Sequence, residues 1–194
     1  MIGILFGPPG SGKGTQAQMA ARRFALPHVS TGTILREEVE RKSELGRQVA
    51  PLLDKGELVP DSLILEIVGK HLEEERSRGA LLDGFPRTVA QASGLLSMLK
   101  EHGLTIFAVV ALDVPEGVLE GRILKRGEIE HRSDDNEESF LRRMAEYREK
   151  TAPVLSYLET QGITVHHIDG DGSIESVADK LSSLFCSVGL APVA

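Results

Sequence analysis

Apolar residues form short dense blocks at 2–6, 80–83, 106–112 and 163–168, with a weaker one at 27–29. Blocks of that length, apolar at consecutive positions and bounded by glycine, proline or charge, predict strands buried on both faces. Between them apolar residues recur every three or four positions. That spacing predicts helices over 13–24, 33–42, 45–55, 61–76, 89–102, 115–125, 137–159 and 174–185. Strand and helix in alternation predict an α/β fold, a parallel sheet with helices on both faces. Ligands of such sheets gather at the carboxyl ends of the strands. The alternation is broken at 30–59, where extra helices intervene, and at 127–136, which is charged and lacks apolar periodicity. Both read as lobes projecting from the sheet. Pro153 interrupts the long pattern after Glu137 and predicts a kink there.

A chain of 194 residues suffices for one domain with a sizeable core. Its net charge of −7 argues against a general binder of nucleic acid or acidic membranes. The single cysteine, Cys186, excludes an internal disulfide and a cysteine-built zinc site. It lies in an apolar C-terminal stretch and reads as a small core residue. The chain enters its first strand at once, so no signal peptide is expected, and no apolar run reaches membrane-spanning length. A cytoplasmic location is the expectation. The tail at 187–194 reads as a frayed end.

The strand at 2–6 runs into Gly7-Pro8-Pro9-Gly10-Ser11-Gly12-Lys13-Gly14-Thr15. Glycines let successive backbone N–H groups converge on one anion, and the following helix adds its unpaired donors and positive dipole end. Lys13 supplies a mobile charge for β- and γ-phosphates. The phosphate-loop pattern asks for Ser or Thr after the lysine; here Gly14 stands in that place and Thr15 follows.

Asp83 ends a strand block. It reads either as half of an Asp-Gly turn or, with a phosphate loop upstream, as a holder of Mg²⁺ through water. Arg87 would begin a helix, where a cation opposes the dipole unless an anion is present; a plain surface arginine is the other reading. Gln91, one turn on, carries an amide suited to an adenine edge or simply to solvent. The run 30–36 reads as a helix cap and first turn, from which Arg36 projects. The run 56–61 reads as a helix stop, a short extended piece and a new cap. Arg122 and Arg126 lie four apart on one helix beside Lys125, and Arg132, Arg142 and Arg143 follow among acids. Like charges at that spacing disfavour an isolated helix by about 0.2–0.5 kcal/mol, which a solvated face tolerates. Separately placed arginines balanced by acids suit a clamp around phosphates.

In order, the blocks at 7–16, 30–36, 56–61, 83–91 and 122–147 resemble those of the adenylate kinases, and the likeness covers the chain from Met1 to about Phe185. The form Gly-Lys-Gly-Thr is the family's own, so Gly14 supports the likeness. The resemblance implies a phosphate-loop five-stranded parallel sheet spanning 1–29, 60–126 and 137–194, a nucleoside-monophosphate lobe at 30–59 and a short lid at 127–136. It implies an ATP site of Gly10, Ser11, Gly12, Lys13, Gly14, Thr15, Arg122, Arg126 and Gly172. The AMP site implied comprises Thr31, Arg36, Glu57, Leu58, Val59, Gly84, Phe85, Pro86, Arg87 and Gln91. Arg132 and Arg143 would bridge the two nucleotides, with Asp134 and Asp135 supporting the closed lid. The catalytic set implied is Lys13, Arg87, Arg122, Arg126, Arg132 and Arg143. Magnesium would sit near Thr15 and Asp83, through water, and the cysteine-free lid implies no structural zinc. Thr33 stands where an acid is expected, and Glu130-His131 replace small residues before Arg132.

The reaction implied is reversible transfer from MgATP to AMP, giving two ADP, by a monomer without nucleic-acid or membrane partners. A kinase of UMP or CMP shares most of these blocks; Thr31 and the Arg87-Thr88…Gln91 block resemble the adenine-accepting form. A nucleotide sensor without turnover has no need of the full arginine set. A GTP switch needs Asn-Lys-x-Asp, and Asn136, the only asparagine, lies in Asp-Asn-Glu.

Overall fold

The computed structural model describes residues 1–75, 78–130 (backbone alone at 128–130) and 136–193. Among them, five parallel strands form one sheet in the order β2-β3-β1-β4-β5. The strands are β1 (Ile2–Phe6), β2 (His28–Ser30), β3 (Ala80–Asp83), β4 (Ile106–Asp113) and β5 (Val165–Asp169). Side chains alternate across the sheet, as a two-residue period requires. Ile2, Ile4, Phe6, Leu82, Val109 and Ala111 join one core cluster; Leu5, Leu81, Ala108, Val110 and Leu112 join a second. The α/β expectation holds.

The first cluster is completed by α2 (Thr31–Glu40), α3 (Glu44–Lys55), α4 (Asp61–Glu74), α5 (Val89–Glu101) and α8 (Ala152–Thr160). The second is completed by α1 (Lys13–Arg23) and α9 (Ile174–Ser187). A third, small cluster joins Leu119 and Ile123 of α6 (Glu116–Glu130) to Phe140 and Met144 of α7 (Glu137–Glu146). Leu35 and Val49, from the extra helices of 30–59, pack into the main cluster rather than forming a core of their own.

Several expectations are corrected. Helix α2 starts at Thr31, because Ser30 Oγ accepts the Thr33 N–H and caps it two residues earlier than expected. Helix α6 runs to Glu130, so residues 127–130 are helical despite their lack of an apolar stripe. The long pattern after Glu137 contains a π-helical turn at Tyr147–Thr151, ahead of Pro153. Proline lacks an N–H and its ring crowds the carbonyl four residues back, and a wider turn relieves both conflicts. Cys186 is exposed: Phe185 and Leu181 face the sheet, which turns the next residue by about 100° towards solvent. The tail is held rather than frayed. Leu190 packs against the second cluster, and the Val193 N–H donates to Arg23 O at 2.8 Å.

Candidate functional site

The turn after β1 enters α1 with Gly10 and Gly12 both in the left-handed region, at φ +84. At Gly12 a Cβ would meet nothing within 4 Å, so its glycine answers to conformation alone. At Gly10 a Cβ would come within 2.5 Å of Leu119 O, so α6 closes on the loop from behind. Helix α1 has no side-chain cap and no acid in its first turn. Its positive end therefore lies under the loop without a local carboxylate, an arrangement that favours an anion. Ser11 Oγ is buried there with no hydrogen-bond partner among the described residues.

Lys13 folds back over the loop, its Nζ 3.4 Å from Pro8 O. It keeps some solvent contact, yet its cleft is deep. Desolvation there pushes the ammonium from its ordinary 10.5 down to about 7; Asp83 opposes this, while Arg87, Arg143 and Arg126 add to it. A cation under that pressure gains from a polyphosphate beside it.

Asp83 ends β3 and pairs in register with Leu5 of β1 and Ser30 of β2. Its Oδ2 accepts from Ser30 Oγ at 3.2 Å and lies 3.7 Å from His28 Nε2. Burial would raise its carboxyl pKa, but His28, Lys13 and Arg87 outweigh burial and hold it below the ordinary value. Its Oδ1 is buried with no partner among the described residues. An ionised carboxylate with an unused oxygen at the mouth of a phosphate loop fits a hydrated Mg²⁺. Gly14, rather than Thr15, faces this carboxylate: a Cβ on Gly14 would lie 3.4 Å from Asp83 Oδ2. Thr15 is exposed. Among the described residues no group of three or more His, Cys, Asp or Glu side chains is placed to hold a metal.

Two adjoining clefts open above the strand ends, about 510 and 570 Å³. The first is lined by Lys13, Gly84, Phe85, Pro86, Arg87 and Arg143, among others. The second is lined by Thr31, Arg36, Glu57, Leu58, Val59 and Gln91, and it shares Gly84, Arg87 and Arg143 with the first. Hydrogen bonds set the shared wall. Gly84 O accepts from Thr31 Oγ1 at 2.9 Å and from Arg87 Nε at 2.7 Å. Thr151 Oγ1 donates to Arg87 O at 3.0 Å. Phe85 is wholly buried, so it forms wall and core at once. Arg36 lies over Gly32 in the first turns of α2, near the positive helix end, where an anion is again favoured. Gln91, left open between solvent and adenine by its sequence, is buried at 2% exposure and lines the second cleft.

Of the predicted residues, Lys13, Arg143 and the whole AMP set at 31–91 line these two clefts, whereas Gly10, Ser11, Gly12, Gly14, Thr15, Asp83, Arg122, Arg126 and Gly172 line neither. Arg122 reaches the turn after β5, donating to Gly170 O at 3.2 Å with Asp171 Oδ1 at 3.5 Å, next to Gly172. Arg126 shares α6 with Arg122, and its charge is felt at Lys13. Arg132, Asp134 and Asp135 lie outside the described residues. Sequence reasoning missed Asp61 and Thr151 as partners of this wall. It also missed the contact between the turn at Gly56 and α7. A Cβ on Gly56 would lie 2.8 Å from Ser139 Oγ, and Arg142 pairs with Glu57 at 3.2 Å. Neither contact has a local signal, since each joins segments some eighty residues apart.

A glycine-rich turn from a central strand, a lysine over it and an aspartate on the neighbouring strand define a phosphate-loop nucleotide-binding protein. The family model described as adenylate kinase matches residues 5–163. An adenylate kinase of Thermus thermophilus is 47% identical over 178 residues, 92% of this chain and 93% of that one. Those of Deinococcus deserti and Phocaeicola vulgatus are 44% and 41% identical, over 92% and 90% of this chain and 93% and 92% of theirs. The chain belongs to the adenylate kinase family.

Proposed function

We propose that the chain transfers the γ-phosphoryl group of MgATP reversibly to AMP, giving two molecules of ADP. One observation carries this reading: Arg87 and Arg143 line both clefts, so groups bound on the two sides meet at shared cations. The loop and Lys13 bind the ATP phosphates, with Arg122, Arg126 and the Gly172 backbone attending the same nucleotide. Arg36, Thr31 and the 57–59 backbone receive AMP, whose base meets Gln91.

An oxygen of the AMP phosphate attacks the γ-phosphorus; that bond forms as the bond to the bridging oxygen of the departing ADP breaks. A phosphate monoester with a second pKa near 6 is already largely dianionic at neutral pH, so no general base is needed. The obstacle is bringing two anions together. Lys13, Arg87 and Arg143, joined by Arg132, offset that repulsion and stabilise the charge spread over the transferring group. Asp83 would hold magnesium through water, and the ion would neutralise charge on the β- and γ-phosphates.

The segment 30–59 acts as the monophosphate lobe and 127–136 as the lid, whose closure keeps water from accepting the phosphoryl group. Among the described residues, the exposed large apolar side chains are Met1 and Val193 near the chain ends and Met19, Val89, Leu124, Leu141 and Ile174 on five different helices, which supports a monomer. No helix among the described residues is long and apolar enough to cross a membrane; we read the protein as cytoplasmic.

The test is ADP production with AMP, CMP, UMP and GMP as acceptors, with and without magnesium. AMP preferred at least tenfold, and activity only with magnesium, is the expected result. CMP or UMP preferred tenfold would move the chain to the pyrimidine branch. Tight binding of ATP and AMP without ADP formation would make it a sensor.

A further inference from the structure

Behind Gln91, outside the lining of either cleft, stands Asp61, the first residue of α4. The Gln91 carboxamide is gripped at both ends. Its Oε1 accepts the Arg87 backbone N–H at 2.7 Å, and its Nε2 donates to Asp61 Oδ1 at 2.7 Å. The other oxygen of Asp61 accepts from Thr88 Oγ1 at 3.1 Å, and Thr88 in turn caps α5 by accepting the Gln91 N–H.

An amide's oxygen and nitrogen are alike in shape, and which is which is settled by partners. Here the partners leave no choice. A main-chain N–H can only donate and a carboxylate can only accept. Turning the amide over would set donor against donor at Arg87 and acceptor against acceptor at Asp61. Each bond satisfies one of the two hydrogens or two lone pairs of the amide, leaving one N–H and one lone pair for a ligand in the second cleft. Adenine presents a ring nitrogen that accepts and an amino group that donates, which that pair complements. Hypoxanthine presents the reverse, a carbonyl that accepts and a ring N–H that donates.

We propose that Asp61 is a positioning residue for base selectivity: it locks the Gln91 carboxamide in the orientation that accepts adenine and rejects 6-oxopurines. This rests on the reading that the second cleft takes AMP. The test compares kcat/KM for AMP and IMP in the natural protein and in Asp61→Asn, whose amide offers either a donor or an acceptor. The AMP-to-IMP ratio is expected to fall at least about tenfold, a change of about 1.4 kcal/mol. A structural defect alone lowers both substrates together, so an unchanged ratio overturns the proposal while the AMP reading stands. A natural protein with no preference for AMP over IMP overturns both. Should Asp61→Asn fail to fold, the natural protein decides by NMR. Before AMP is added, one side-chain amide proton of Gln91 is expected to be shifted downfield and slowed in exchange. Two freely exchanging protons overturn the proposal.

Discussion

On one side of the cleft the groups that the phosphate loop offers come from nine consecutive residues, 7–15, and most of them are backbone. On the other side they come from α2, the 56–59 turn, the 84–91 segment and α7, so that Thr31 and Arg143 meet across more than a hundred residues of chain. The first half is held by conformation: left-handed glycines, a helix end and α6 packed behind Gly10. The second is held by side-chain hydrogen bonds and ion pairs between elements. The loop therefore fails abruptly, through backbone geometry or through Lys13, the one cation it carries. The second erodes by degrees, one contact at a time.

The severest break is Lys13→Met. It should lower kcat by about 100- to 1000-fold, measured by coupled ADP production. Thermal stability should not fall, because the ammonium it removes is already disfavoured by desolvation. Near-normal kcat would end the assignment of Lys13. Gly10→Ala sets a Cβ against Leu119 O at φ +84, and should destabilise by about 1–3 kcal/mol for backbone strain with overpacking in addition. Gly12→Ala meets no neighbour and should cost less in denaturant unfolding, although its φ is the same. Equal losses would show that sterics behind the loop are irrelevant.

On the side-chain half, Arg142→Gln removes the pair with Glu57. Both partners are more than a third exposed, so the loss should stay within about 0.2–1 kcal/mol, read as a modest rise in KM for AMP with kcat kept. Smallest is Asp169→Asn, at the turn that receives Arg122. The Asp171 backbone N–H, then Lys180, hold the Asp169 carboxyl below its usual value. Its folded pKa is depressed, so its stabilisation is present above the unfolded pKa and disappears as pH falls through the folded one. The variant should melt slightly below the natural protein at pH 7, and the gap should shrink as the pH falls through and below the usual carboxylate range. A gap that acid leaves unchanged would assign it to another cause.

The same contrast explains what could be read from the sequence. The phosphate loop was legible because its chemistry is contiguous. All the strands were legible to within a residue or two because their apolar blocks are short and bounded. The burial of Gln91 was not, because it depends on Asp61, thirty residues away, and on a helix start that Thr88 caps. The end of α6 was missed for a local reason. Absence of an apolar stripe removes a reason to bury a helix, but only a breaker or a cap ends one. Cys186 was misplaced because an apolar stretch says nothing of which residue turns outward.

The π-helical turn at Tyr147–Thr151 settles an angle. Arg143 and Thr151 are eight residues apart. In an uninterrupted α-helix, at about 100° per residue, they would differ by about 800° and point some 80° apart. A turn closed by i→i+5 bonds advances only about 80° per residue, so four of the eight steps fall short and the total comes close to two full rotations. Arg143, Tyr147 and Thr151 then all reach the first cleft. One residue of slack, placed ahead of Pro153, aligns the arginine shared by both clefts with the threonine that steadies the backbone of the other shared arginine, Arg87.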